Sequence, residues 1–519
     1  MGLLTGIVFL PLAASVLILL LPKDRPGATR WTALLASTAT FVLSIGLLTG
    51  FRPDASMQFV EKVAWIESIG VDYHMGIDGI SLFLVLLTTF LTPLVVLSSW
   101  RDIGEKVRAF HAMLLMLETG MLGAFVALDL FLFYIFWELM LIPMYILIGV
   151  WGGPRRVYAA VKFVLYTIVG SLLMLVAILA LYFMAGGTTF NILELQQTVL
   201  SSGAQWWLFA AFGLAFAIKV PIWPLHTWLP DAHVEAPTAG SVILAGVLLK
   251  LGTYGFLRFA IPVFPEAAVS FQPILVALAV IGIIYGALVA MVQTDIKKLV
   301  AYSSVSHLGY VMLGLFSFNL EAFSGALYQM LNHGLSTGAL FLLVGVLYER
   351  RHTRMIADYG GIARTVPLFT VAFLVVTFSS IGLPGLNGFV GEFLILVGAF
   401  GANRLAGILA ALGVVLGACY MLWLTQRFLF GPMRNEENRS LKDLTAREGL
   451  VLVPILLLIV YMGVQPRPLL DRMEPALRAA LAPVQAVAPT PESPETPLHG
   501  FLFGPDSTAA GSAAGEEPR

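Results

Sequence analysis

The chain has 519 residues, 58% of them hydrophobic and only 12% charged, where a soluble domain carries roughly 25% charged residues; a mean hydropathy of +0.88 excludes a string of soluble domains. Thirty Lys and Arg against 31 Asp and Glu leave no basic surplus for nucleic acid, and the single Cys419 excludes an internal disulfide, a thiolate metal cage and an iron–sulfur site. No Gly-x-Gly-x-x-Gly, Walker loop or Cys-x-x-Cys-His motif occurs, so the composition is that of a polytopic membrane protein without a redox cofactor of its own.

A helix needs roughly 20 apolar residues to cross the hydrocarbon core. Fourteen stretches qualify in chain order: 2–22, 31–50, 80–99, 111–128, 130–150, 161–185, 205–225, 237–260, 272–292, 298–318, 322–348, 366–400, 405–427 and 449–465. The first has no basic residue before it and runs to Lys23, longer than a signal-peptide core, so it reads as a retained span. The stretch 366–400 is too long for one straight crossing. It contains Gly382-Leu-Pro-Gly-Leu-Asn-Gly388, which makes it a broken helix or a helix plus a re-entrant piece. Beyond the last span, the Pro/Ala/Glu/Ser-rich segment 483–519 reads as a disordered tail.

Charge placement supports this count. The odd-numbered loops carry 20 Lys and Arg, from Lys23, Arg25 and Arg30 in the first to Arg427, Arg434, Arg439, Lys442 and Arg447 in the last. The even-numbered loops carry four: Arg52, Lys62, Arg258 and Arg404. The positive-inside rule puts the odd loops in the cytoplasm and both termini on the exported side. Four more basic residues belong to the tail, leaving Lys219 and Lys250 inside spans.

Glu118, Glu138 and Glu392 share that predicament. Each such charge costs roughly 2.5–3.5 kcal/mol to insert at a helix centre, so five are not retained idly. Structural pairing is the plain alternative, but the five lie on five different predicted helices. An apolar setting disfavours the charged form of lysine and glutamate alike, bringing both within range of proton exchange near neutrality. Lysines in the path argue against a simple sodium cage. Two polar stripes add to the series: Ser303, His307 and Tyr310 on one helix, and Gln329, His333, Ser336 and Thr337 on another. His226 and His233 flank Asp231 and precede Glu235, a spacing that matches no zinc motif.

Helix breaks accompany the charges. Lys219 is followed by Pro221, Pro224 and Pro230, and Glu392 follows the Gly/Pro-rich interruption at 382–388. Paired discontinuous helices are the sequence pointer to an inverted-repeat transporter, and the backbone groups they free can bind water or ions.

These residues resemble the antiporter-like proton-channel subunits of respiratory complex I, a family shared with multisubunit cation/proton antiporters and membrane-bound hydrogenases. The resemblance rests on Phe136-Trp-Glu138-Leu-Met-Leu-Ile-Pro143, on Lys219-Val-Pro-Ile-Trp-Pro-Leu-His226-Thr-Trp-Leu-Pro230-Asp-Ala-His233, and on Ala-Gly-Val-Leu-Leu-Lys250. It continues through Asp295-Ile-Lys-Lys-Leu-Val-Ala-Tyr-Ser-Ser-Val-Ser-His307, Asn332-His333-Gly and Pro384-Gly-Leu-Asn-Gly-Phe-Val-Gly-Glu392, covering about residues 110–400. It implies an all-α fold of 14 transmembrane helices, with two inverted five-helix repeats and two discontinuous helices. The expected division is three leading helices over 1–110, repeats over 111–260 and 271–430, and a last helix at 449–465.

Within that family Glu138 and Lys219 look like the ion pair of the first half-channel and Lys250 like the central relay lysine. His307 and His333 look like its continuation, in that order, and Glu392 like the terminal protonatable group. Glutamate rather than lysine at that last position is typical of one branch of the complex I subunits. The resemblance implies a proton-translocating subunit of an NADH:quinone oxidoreductase, a translocase in a bacterial cytoplasmic (inner) membrane. FMN, iron–sulfur clusters and quinone are then expected in partner subunits, adjacent antiporter-like subunits and lipid as neighbours, and protons and water as the relayed species. Subunits of a multisubunit Na+/H+ antiporter or of a membrane-bound hydrogenase are the rival readings.

Overall fold

The computed structural model describes residues 2–433 and 435–487. A helix lies in each of the fourteen apolar stretches. In chain order they are α1 (Leu3–Leu20), α2 (Pro26–Gly50), α3 (Gly79–Asp102), α4 (Val107–Val126), α5 (Leu130–Trp151) and α6 (Arg156–Met184). Then follow α7 (Ser202–Lys219), α8 (Trp228–Glu235), α9 (Thr238–Val263), α10 (Pro265–Met291), α11 (Ile296–Leu315) and α12 (Leu320–Arg351). The series ends with α13 (Pro367–Ser380), α14 (Asn387–Ala402), α15 (Arg404–Phe430), α16 (Ala446–Val464) and α17 (Arg467–Val487). Among the described residues, eleven helices are long and apolar enough to cross a bilayer, and the protein is a multi-pass membrane protein.

The helices sort into an enclosed centre and an outer wall. In α9 and α12, 100% and 94% of the most apolar 18-residue window is buried; in α1, α2, α6, α10, α15 and α16 the figure is 33–44%. The wall therefore keeps a large apolar face outward, as Val157, Leu165, Val169, Leu172 and Val176 do along α6. Such a face is stable only against lipid or another subunit. The polar stripes lie inside instead, on α12 and on the similarly buried α11.

Both expected breaks are present. Residues 220–227 interrupt the chain between α7 and α8, and 381–386 interrupt it between α13 and α14. Gly382 takes a φ of +73° in the second break, a conformation that a side chain would strain. A lesser interruption falls at Met140 in α5, where Pro143 has no N–H to bond back to Leu139. Two π segments, Leu244–Leu248 and Phe256–Ala260, lie within α9.

Two features correct the sequence reading. The fold is not wholly helical: Gln58–Ile66 (β1) and Val71–Ile77 (β2) form an antiparallel hairpin between α2 and α3. The tail expected to be disordered from 483 is helical through Val487, because α17 continues that far. Its residues Met473, Ala476, Leu477, Ala480, Leu481 and Val484 form a buried stripe packed on α3, α9, α10 and α12. Residues 488–519 lie outside the described residues.

Candidate functional site: a buried ionisable file

Lys219 is the last residue of α7 and is 1% exposed. The break after it leaves the Ile218 carbonyl without a helical donor, and Trp228 Nε1 from α8 supplies one at 2.9 Å. Lys219 Nζ has no hydrogen-bond partner. It lies 5.2 Å from the ring centre of Trp137 and 5.7 Å from that of Phe163, over π faces that favour a cation. Glu138, one residue after Trp137, is within electrostatic range of Lys219, but its Oε1 is also unpartnered. The expected Glu138–Lys219 ion pair is therefore not closed in this structure; an aromatic face takes the ammonium in place of the carboxylate.

Lys250 lies on α9 just past the first π segment and is wholly buried. A π segment moves backbone bonding from i−4 to i−5. One of its carbonyls, that of Ala245, accepts a hydrogen bond from Lys250 Nζ. The same Nζ is 2.6 Å from His333 Nδ1 on α12. The His333 ring meets that of His307 on α11 edge-on, with centres 6.0 Å apart. His307 Nδ1 is in turn 3.0 Å from Glu392 Oε1 on α14. The four side chains thus form a file, Lys250–His333–His307–Glu392. The sequence reading placed His307 before His333; in the structure His333 is the neighbour of Lys250 and His307 the neighbour of Glu392.

Glu392 is anchored by the polar stripe of α12. Gln329 Nε2 donates to its Oε1 at 3.0 Å, Asn332 Nδ2 donates to Gln329 Oε1 at 2.9 Å and to the Asn387 carbonyl at 2.8 Å. Ser336 and Ser379 share a hydrogen bond of 2.6 Å, and Ser379 Oγ donates to Asn387 Oδ1 at 2.6 Å. The second break makes this network reachable by placing Asn387 at the start of α14, against α12. Close approach needs glycine: a Cβ on Gly391 would lie 2.5 Å from Gln329 Oε1, and one on Gly325 would lie 2.7 Å from the Ile395 backbone nitrogen. His307, His333, Ser336, Thr337, Ser380 and Glu392 line a small polar cavity, where a water could bridge the two rings.

Two buried charges escaped the sequence reading. Arg258, assigned there to an exported loop, is inside α9 and 6% exposed, ion-paired to the 2% exposed Asp78. Lys297, assigned to a cytoplasmic loop, is 7% exposed and donates to the Ala236 carbonyl at 2.5 Å. His233 stacks on Phe341 with ring centres 4.6 Å apart, within electrostatic range of both Lys250 and Lys297. Glu118 is fully buried, with neither carboxylate oxygen hydrogen-bonded. Asp231 is paired with Lys162 and Arg155, while Glu235 accepts from the Arg155 backbone. No three His, Cys, Asp or Glu side chains converge on a metal position among the described residues.

A membrane bundle with one ionisable file through its enclosed helices is the architecture of an ion-handling membrane subunit. Residues 127–417 match the family described as NADH:quinone oxidoreductase/Mrp antiporter, and residues 10–124 match NADH-ubiquinone oxidoreductase chain 4, amino terminus. The NADH-quinone oxidoreductase subunit M of Rhodobacter capsulatus is 48% identical over 492 residues, covering 92% of this chain and 96% of that one. The NADH-ubiquinone oxidoreductase chain 4 of Arabidopsis thaliana is 47% identical over 472 residues, covering 91% and 95%. A chain of respiratory complex I from Thermus thermophilus with bound NADH superposes with a TM-score of 0.86 at 35% identity, covering 93% and 99%. The chain belongs to the family of NADH-quinone oxidoreductase subunit M and chain 4.

Proposed function

We propose that this chain is a proton-translocating membrane subunit of an NADH:quinone oxidoreductase, driven by quinone reduction in partner subunits. The observation that carries the reading is the contact series Lys250–His333–His307–Glu392, four ionisable groups from four helices in the enclosed centre of an apolar bundle. A proton reaching Lys250 passes to His333, crosses to His307 directly or over a bridging water, and arrives at Glu392. The Glu138–Lys219 pair is the input of the first half, and opening it takes the Lys219 ammonium off its carboxylate and onto the weaker hold of the Trp137 face. Moving one charge against 100 mV takes roughly 2.3 kcal/mol, within reach of rearranging a buried ion pair.

The same reading gives fourteen crossings, counting α7 with α8 and α13 with α14 as one discontinuous crossing each. The two breaks occupy corresponding places in repeats running from α4 to α9 and from α10 to α15, as an inverted-repeat transporter requires. Both termini then lie on the exported side of a bacterial cytoplasmic membrane, next to adjacent antiporter-like subunits. FMN, iron–sulfur clusters and quinone belong to the partners. Glu138→Ala and Lys219→Ala in the intact complex, reconstituted in vesicles, test the assignment. Each is expected to lower proton uptake per NADH oxidised; undiminished pumping and turnover in both would sink the channel reading.

A further inference from the structure

Lys250, Tyr254 and Arg258 follow one another at four-residue intervals along α9, so one helix face carries all three. At 1.5 Å per residue, Arg258 lies roughly 12 Å beyond Lys250 along the helix axis. All three side chains are buried. Arg258 Nε donates to Tyr254 Oη at 3.3 Å, Tyr254 Oη donates to the Phe125 carbonyl at 2.9 Å, and an Arg258 Nη2 hydrogen bond closes on Asp78 Oδ1. Asp78 also caps α3, accepting from the backbone of Ile80 and Ser81. A polar column thus leads from the relay lysine to the mouths of α3 and α4.

The column is wired so that a proton cannot follow it. A proton path needs each member to accept on one side and donate on the other. Guanidinium has five donors, no acceptor and no accessible neutral form, and the Tyr254 hydroxyl already gives its proton to a peptide carbonyl. A fixed cation also repels an approaching proton, as it does in water-selective pores. We propose that Arg258, held by Asp78, is the charge barrier that closes the exported end of α9 and forces the proton on Lys250 sideways to His333. The inference rests on the relay reading above and adds the insulating residue that such a relay requires.

Two single substitutions break the same ion pair but leave opposite charges. Asp78→Asn keeps the cation and the helix cap, since asparagine caps as well as aspartate. Arg258→Gln removes the cation and leaves a carboxylate beside Tyr254. Passive proton conductance is measured in vesicles holding the intact complex without NADH, and pumping is measured with it. Arg258→Gln is expected to raise the leak on the order of tenfold, about 1.4 kcal/mol off the barrier, and to lower net pumping while quinone turnover continues. Asp78→Asn is expected to stay as tight as wild type. Equal leaks in the two variants, whether both low or both high, would mean a helix clamp and overturn the barrier. Should Arg258→Gln fail to assemble, the double variant Asp78→Asn/Arg258→Gln keeps a hydrogen-bonded neutral pair. It leaks if the charge is the barrier, and a tight double variant overturns the proposal. Failure of the relay reading is separate: it shows as undiminished pumping and turnover in both Lys219→Ala and Glu138→Ala, whatever the leak.

Discussion

The order of the file is the most exposed consequence of the geometry. Lys250 Nζ has two contacts, the Ala245 carbonyl and His333 Nδ1 at 2.6 Å. His333→Gln keeps an amide of similar reach but removes the ring nitrogen that can carry a proton. A charge-assisted hydrogen bond contributes roughly 1.5–3 kcal/mol, and its loss from the transfer step slows that step roughly ten- to a hundredfold. Net pumping per NADH oxidised, followed with a pH-sensitive dye in vesicles containing the intact complex, should fall steeply. Double-mutant cycles with Lys250→Arg then read the order. Residues in contact couple by roughly 0.5–3 kcal/mol, whereas separated residues add within about 0.5 kcal/mol. The Lys250/His333 cycle, a direct contact, should couple more strongly than the Lys250/His307 cycle, whose members meet only through His333. A larger coupling for Lys250 with His307 than with His333 would refute the order, and wild-type pumping by His333→Gln would refute the relay through that ring.

Two further outcomes follow from contacts away from the file. Arg350 at the end of α12 grips Glu448 of α16 through two bonds of 3.0 and 2.8 Å, and Glu448→Gln, which leaves a mostly buried guanidinium under-compensated, should cost roughly 2–3 kcal/mol. Thermal unfolding in detergent should shift down by several degrees with quinone turnover nearly unchanged; an unshifted transition would show that the pair contributes nothing. In the hairpin, burial first and the nearby Lys62 second hold the His74 imidazole below its ordinary pKa of 6.5. The folded group thus binds its proton less readily than the unfolded one, so hairpin stability is full above that ordinary value and falls as pH drops below it. Hydrogen-exchange protection factors over residues 58–77, which correct for the slower intrinsic exchange at low pH, should fall between about pH 7.5 and 5.5 in wild type and not in His74→Gln; an equal fall in both would remove His74 as the cause.

The apolar stretches were legible because a membrane span declares itself by length and hydropathy. So were both breaks, which carry their own Gly and Pro residues. What escaped was decided by partners distant in sequence. Arg258 stood near the end of the span 237–260 and counted as a loop charge; its burial depends on Asp78, 180 residues earlier. The hairpin is short and half-exposed, with none of the apolar run that marks a span, and its turn is set by Gly70 at a φ of +66°. In α17 the apolar positions recur at three- and four-residue intervals, but Pro475 and Pro483 and the composition after them read as a breaker-rich tail. The two histidines were legible as polar stripes. Their order was not, since it is a property of how α11 and α12 face α9 and α14.

The irregular backbone and the buried charges belong to one design. A regular helix in lipid has no spare hydrogen-bonding capacity, because each interior carbonyl is already taken. Lys219 ends α7 where a break begins, Lys250 follows one π segment, Arg258 lies within the other, and Glu392 is on the helix that restarts after Gly382. Each irregularity releases or redirects main-chain groups beside an ionisable side chain: the Ile218 carbonyl to Trp228, the Ala245 carbonyl to Lys250, the Asn387 carbonyl to Asn332. His307 and His333 need no such help. They stand on regular helices, and an imidazole can be neutral while still donating and accepting. Lys219, Lys250, Arg258 and Glu392 thus stand at or just beyond backbone faults, whereas the fully buried Glu118 stands on the regular α4, and the file joins Lys250 to Glu392 through two imidazoles on intact helices.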